Sequence, residues 1–249
     1  MKYTTPSEVE IYPKQLVKDL GIHLSADYSW SQHIARMVTS GRKLASWVLG
    51  VFSDRQRDPM LQLWKSLVRH NLEYCCPLWN PSKLEDIRAI EDLQRFFTKR
   101  IYGLQNSTYW ERLQKLGLQS LQRRRERYII VHTWKILNGL VPNDINMEFH
   151  WNERRGWKAK LPLLNTKAPA AAITLHDNSF AMSGARLWNT LPKNVNQQKT
   201  LEPFKIALGK FLDNIPDLPP VKGYVCVNDN SIIKCLQNMG GLQSNGMEL

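Results

Sequence analysis

The sequence has little of what catalytic or exported proteins usually display. It holds four cysteines, Cys75, Cys76, Cys226 and Cys235, and no Cys-x-x-Cys spacing. Such a set forms neither a disulfide framework nor a redox motif, and is expected to be buried reduced thiols. No two aspartates are adjacent, and there is no Gly-x-Ser-x-Gly and no phosphate-binding P-loop. Two-metal polymerase, α/β-hydrolase and P-loop chemistries therefore find no residues to use. No run of about 18 apolar residues occurs, so no membrane-spanning helix is expected. The start, "MKYTTPSEVE", lacks the apolar stretch of a secretion signal. The expected setting is intracellular, nuclear or cytoplasmic.

Acidic residues are also scarce. Thirty-four Lys and Arg face 22 Asp and Glu, a formal charge of +12. An excess of this size suits a polyanion, and nucleic acid is preferred to membrane because no helix carries a Lys-edged, lipid-seeking face. Nine tryptophans argue against disorder. The length suits one large domain or two small ones.

Period-two patterning marks short strands at the start, with Val9 and Ile11, then Leu20, Ile22 and Leu24. Helical signals follow. Ser29 with Gln32, Ser82 with Glu85 and Thr108 with Glu111 have capping-box spacing, and Asp58–Pro59 reads as an N-cap followed by a first-turn proline. Ser120 starts a further helix, and Gly103, Gly117 and Gly139 are placed to end helices. After Pro142 the chain is broken by Gly and Pro and mixes basic with aromatic residues, before an amphipathic helix over "TLEPFKIALGKFLDNI". The expected fold is mainly α. A β hairpin occupies 1–24, a helical bundle 25–142, a small irregular α/β module 143–215 and a loose tail 216–249. The bundle is expected to stand alone if the chain is cut after Asn143.

One stretch runs against ordinary helix electrostatics. "LQSLQRRRERYIIVHTWKIL", residues 118–137, places Arg123, Arg124, Arg125 and Arg127 in the first turns of a helix. There the free N–H groups already carry partial positive charge, and each cation is disfavoured by about 0.3–1 kcal/mol. Arg123 and Arg127 are also a like-charged i,i+4 pair. Beyond them Ile129, Ile130, Val131, Trp134, Ile136 and Leu137 cover nearly every direction of the helix, so the arginines are expected to form a collar at its exposed end. Phosphate oxygens would remove the penalty. A solvated collar with Glu126 as partner is the plain alternative. Further candidate phosphate contacts are Arg42 with Lys43, Lys99 with Arg100, and Arg154, Arg155 and Lys158, the last three interleaved with Trp151 and Trp157. Cations among aromatics suit single strands or a heteroduplex, although both tryptophans fit a core as well.

Other clusters read as structural. His23, Asp27 and His33 straddle a strand end and a helix start and need not converge on a metal. Glu85, Asp86, Glu91 and Asp92 share a helix with Arg88, Arg95 and Lys99 and form a solvated ladder of ion pairs. No metal ligand, cofactor site or catalytic residue is expected.

The order of "KDLGIHLSADYSWSQHI", "LWKSLVRHNLEYCCPLWNP", "IEDLQRFFTKRIYGL" and "LQKLGLQSLQRRRERYIIVHTWKILNGLVP" resembles the segment after the catalytic palm in reverse transcriptases of LINE-type (non-LTR, jockey-like) retrotransposons. "SFAMSGARLWNTLP" is similar to that group's later Arg-x-Trp-Asn-x-Leu-Pro run, here Arg186, Trp188, Asn189, Leu191 and Pro192. The resemblance covers about residues 8–215. It implies a thumb-like bundle that grips a template–primer duplex. It also implies a non-catalytic fragment of an RNA-directed DNA polymerase, since the Asp-Asp motif of that family is absent. RNA or an RNA–DNA duplex is the expected partner, with no membrane, small-molecule substrate or cofactor. A rival expectation is a helical interaction or self-association module. Another is an enzyme using His23, Asp27 and His33 with a metal.

Overall fold

A computed structural model describes residues 3–4, 10–12, 14–163, 168–217 and 231–243. Val9 and Cys226 lie outside them. The fold is mainly α, with three two-stranded antiparallel pairs. β1 (Tyr3–Thr4) pairs with β2 (Glu10–Ile11), and β3 (Leu16–Asp19) pairs with β4 (Ile22–Ser25) in a hairpin that aligns Val17 with Leu24. The long α1 (Ser31–Val51) follows, then α2 (Arg57–Leu63), which runs through a π-helical stretch, Trp64–Arg69, into α3 (His70–Glu73). Trp64, Val68 and Leu72 point inward at successive steps of four. α4 (Cys76–Trp79), α5 (Leu84–Thr98), α6 (Tyr109–Leu116) and α7 (Leu121–Leu137) complete the first half.

The second half holds β5 (Phe149–Asn152) paired with β6 (Gly156–Ala159), then α8 (Ala170–Asp177), α9 (Phe180–Asn189), α10 (Lys193–Asn196), α11 (Leu201–Asp213) and α12 (Ile232–Gln243). The Arg-x-Trp-Asn-x-Leu-Pro run has a structural task here. Its Asn189 accepts from Ala159 N–H at 2.9 Å and donates to Ala159 C=O at 2.8 Å. Asn196 accepts from Trp157 N–H and donates to Trp157 C=O. Two side-chain amides thus serve the open edge of β6 in place of a third strand. Gly156 is required at the start of β6. Its φ is +73°, and a Cβ there would lie 2.0 Å from Asn196 Oδ1.

Two apolar cores divide the molecule, and the border falls within α7. Ile34, Ala45, Trp64, Trp79, Ile90, Phe97 and Leu121 belong to the first. Ile129, Ile130, Trp134 and Ile136 belong to the second, with Trp188, Phe204, Leu208, Ile232 and Cys235. Trp134 stacks on Phe204 with ring centroids 5.3 Å apart. Gly184 of α9 lets that helix approach α7, for a Cβ there would stand 2.8 Å from Thr133 Oγ1. The boundary expected at residue 142 therefore separates no two cores. The tail also needs correction: Ile232 and Cys235 are buried in the second core. The "PDLPP" break hid an i, i+3, i+4 apolar pattern of Ile232, Cys235 and Leu236 behind it.

Cutting after Asn143 would strip cover from Ile129, Ile130, Trp134 and Ile136. Burying such side chains contributes about 1.5–3 kcal/mol each, and four of them approach the whole stability of a domain, about 5–15 kcal/mol. A chain ending at residue 143 should show no cooperative thermal transition by circular dichroism. A sharp transition like that of the full chain would restore a self-standing bundle.

Candidate nucleic-acid interface

The arginines of α7 are not an exposed collar. Arg123 and Arg125 are each 1% exposed, and Arg124 is partly buried. The anion that the helix start demands is supplied by the chain itself. Ser120 caps α7, accepting from Arg123 N–H at 3.1 Å, while its own N–H and hydroxyl both donate to the Asp217 carboxylate at 2.6 and 2.8 Å. Both Glu91 oxygens accept from Leu121 N–H, at 3.3 and 3.1 Å, and Tyr109 donates its hydroxyl to Glu91 as well. Two carboxylates thus sit on the positive end of the helix.

Three of the four arginines are drawn into the fold, Arg123 and Arg125 fully and Arg124 in part. Arg123 donates to the carbonyls of Ile215 and Pro216 at 3.1 and 3.0 Å, closing the C-terminal end of α11. Arg124 forms a two-pronged ion pair with Glu73, which also accepts from Tyr128. Burial pushes Arg125 below its ordinary value, against the pull of Glu91, Cys76, Glu126 and Glu73. Glu126 accepts from Ile232 N–H at 2.7 Å and so holds the first turn of α12. Burial raises Glu91, Asp217 and Glu126, the last to about 7. Glu91, read from sequence as one of a run of surface carboxylates, is wholly buried. Arg127 is half-buried and takes part in no ion pair among the described residues.

The remaining candidates form two groups. Where the middle of α1 meets the C-terminal end of α5, the guanidinium carbons of Arg42 and Arg100 stand 4.4 and 3.7 Å from the centroid of the Phe96 ring. Arg55, absent from the sequence-based set, joins them. It donates to Leu49 C=O at 3.1 Å, its own carbonyl accepts from Tyr102 N–H at 2.9 Å, and it and Arg42 lower Arg100 after burial does. No ion pair among the described residues holds Arg42, Arg55 or Arg100. Lys43 and Lys99, next to Arg42 and Arg100 in the chain, are exposed, with Trp47 and Tyr102 56% and 74% exposed. The second group is the β5–β6 hairpin. Arg154 and Arg155 are exposed at its turn, whereas Lys158 donates to the carbonyls of Asn189 and Leu191 and is committed to the fold.

His33 is buried between Trp30 and Trp79, with its ring 5.9 Å from that of His23. Asp27 turns to Ser29 N–H. Among the described residues no three His, Cys, Asp or Glu side chains converge to hold a metal ion. Of the expected charge ladder, Arg95 pairs with Asp92 at 3.1 Å, while Asp86 accepts from Ser31. Cys76 is buried and its thiol is pushed up to about 12 by that burial, but Cys75 is exposed, contrary to expectation. Among the described residues no helix is long and apolar enough to cross a membrane.

No protein-family model matches the chain, and no solved structure matches it. It is similar to an uncharacterized protein of Caenorhabditis elegans, B0403.1, with 25% identity over 126 residues. That alignment covers 49% of this chain and spans 64% of the length of the relative.

Two tests follow from the buried cluster. Removing one partner from a buried charged network costs about 3–5 kcal/mol, because its counter-charges stay behind. Arg123→Gln and Arg125→Gln should each lower the melting temperature by many degrees in the absence of any ligand. Unchanged melting would return both side chains to the surface. The second test uses pH. Glu126 binds its proton more tightly folded, at about 7, than at its ordinary 4.5. Its contribution to stability therefore falls as pH rises through that window and is level above it. His33 and His132, lowered chiefly by burial, act in the opposite sense. The informative quantity is thus a difference. Glu126→Gln, which still accepts from Ile232, should gain in melting temperature over the parent chain between pH 4.5 and 7.5. A gap that stays constant across that range would show that Glu126 titrates normally.

Proposed function

We propose that the chain is a non-catalytic fragment of a LINE-type RNA-directed DNA polymerase, and that it binds RNA or an RNA–DNA duplex through phosphates without sequence preference. The observation that carries the reading is the gathering of Arg42, Arg55 and Arg100, with no ion pair among the described residues, and with exposed Lys43 and Lys99 next to two of them in the chain. Arg100 and Arg55 each bond a carbonyl in the last turn of a helix, Phe96 C=O and Leu49 C=O. Helix ends thus account for those two. They do not account for Arg42, whose recorded contact is the Phe96 ring, or for the two lysines. Like charges brought together in this way repel until an anion arrives, and a phosphate backbone presents anions in a row. The sequence resemblance and the +12 balance support the same class of partner.

The α7 arginines have left the interface, so the test moves to Arg42, Lys43 and Lys99. Replacing all three with Gln should reduce the slope of log affinity against log salt by about 2–3, each phosphate contact being worth about 0.7–0.9. Binding should weaken alike for unrelated sequences, because backbone contacts carry no base information. Melting should stay nearly unchanged, since these are surface positions. An unchanged slope would remove this surface from the reading.

A further inference from the structure

The second half of the chain carries an aromatic platform that the phosphate-binding reading does not use. Trp151 and Trp157 are register partners across the β5–β6 hairpin, with ring centroids 5.6 Å apart at 73°. Trp157 is partly buried and its backbone is clamped by Asn196, so it is a fixed wall. Trp151 remains 47% exposed. An indole left half in water on a rigid hairpin forgoes burial that a core position would have provided. Lys193 steadies it, with Nζ 5.5 Å from the ring centroid and bonded to Glu153 C=O at 2.6 Å.

Both indoles line a groove of about 550 Å³ at the start of α11. Its other walls carry polar groups with unspent capacity. Gln197, Lys199 and Thr200 make no side-chain hydrogen bond or ion pair with other described residues. Asn138 uses its NH₂ on Trp134 C=O and retains its carbonyl oxygen. An amide offers both donor and acceptor, the pattern that an unpaired base edge meets. An ammonium beside it suits the phosphate that accompanies each base, and Arg154 and Arg155 are exposed at the hairpin turn that adjoins the platform.

We infer that this groove binds unpaired nucleotides of a single strand, one base stacking on Trp151 with its edge toward the amides of Gln197 and Asn138. A duplex is unsuited to it, because the bases of a duplex are stacked on one another and their edges are paired. The inference rests on the reading of the chain as a nucleic-acid binder and adds a second, structurally different subsite. Duplex backbone is assigned to the Arg42 surface and single strand to the hairpin groove.

The test uses the full chain and two fluorescent probes of equal length, a 12-nucleotide single-stranded RNA and the same RNA paired with DNA. Trp151→Ala removes a half-exposed side chain and should melt close to the parent chain. It should weaken single-strand binding by roughly tenfold to a hundredfold, the usual effect of losing one stacked base. Duplex affinity should change less than about twofold. Trp151→Phe should recover most of the loss. The Arg42→Gln, Lys43→Gln, Lys99→Gln variant should do the reverse, losing duplex more than single strand. If Trp151→Ala leaves single-strand affinity intact while the parent binds both probes, the subsite is overturned and the phosphate-binding reading stands. If the parent binds neither probe, both fall. Binding of a neutral β-glucan hexamer that depends on Trp151, with no single-strand binding, would reassign the groove to carbohydrate and overturn the inference.

Discussion

The structure depends on what meets the first turn of α7. Glu91 from α5 and Asp217 from beyond α11 deliver carboxylates to the backbone N–H groups of Leu121 and Ser120. Two carboxylates brought out of water to one helix end would be intolerable alone. The charges of Arg125 and Arg123 offset Glu91 and Asp217 respectively, and each arginine is itself placed only because α7 is helical. The same turn reaches outward on three sides. Arg123 closes the end of α11, Arg124 grips Glu73 at the end of α3, and Glu126 opens α12. The two apolar cores meet along α7, and this polar node fixes the angle at which they meet. A purely apolar contact of the same size has no comparable preference for one orientation, since the hydrophobic effect is non-directional.

Much of the helical part was legible, for reasons that can be stated locally. Thr108 with Glu111 forms the reciprocal capping box expected of it, Ser120 caps α7, and Gly117 ends α6 in the left-handed region. Three other starts were placed wrongly, two of them through competition among short polar side chains. Ser29 is drawn into a turn by Asp27, so α1 begins at Ser31, whose hydroxyl goes to Asp86. Asp54, not Asp58, holds the N–H of Gln56 ahead of α2. Neither Ser82 nor Lys83 caps α5, which begins at Leu84. The bonds at Ser29 and Gln56 go to near neighbours and match a cap in strength, and sequence spacing does not rank the two.

The arginines were misread for a different reason. A helical wheel assigns directions about one axis and is silent on what lies beyond the end of that axis. The partners that decide the matter are distant in sequence: Glu91 is 30 residues from Leu121, Glu73 is 51 from Arg124, Asp217 is 97 from Ser120, and Ile232 is 106 from Glu126. The one local signal was the misfit itself. Four cations at a helix start require an anion. The anion proved to belong to the chain. Buried carboxylates are as good an answer to the demand as a phosphate, and pattern alone does not distinguish them.

The excess positive charge of the chain lies outside the buried node. The buried node holds Arg69, Arg123, Arg124 and Arg125 against Glu73, Glu91, Glu126 and Asp217. Four cations face four carboxylates, so the node is formally neutral. The +12 excess is therefore carried by the rest of the chain, most of it in contact with water. Had the collar been exposed, as expected, a third of that excess would have belonged to one helix end, and the remainder of the surface would have been far less basic. With the node closed on itself, the excess is spread over separate places such as the Arg42–Arg100 surface and the turn of the β5–β6 hairpin. A long polyanion follows such a distributed pattern better than a single phosphate does, because each contact releases counterions independently along its length. The arginine-rich helix thus organises the fold, and the less conspicuous lysines and arginines elsewhere carry the charge on which the proposed binding rests.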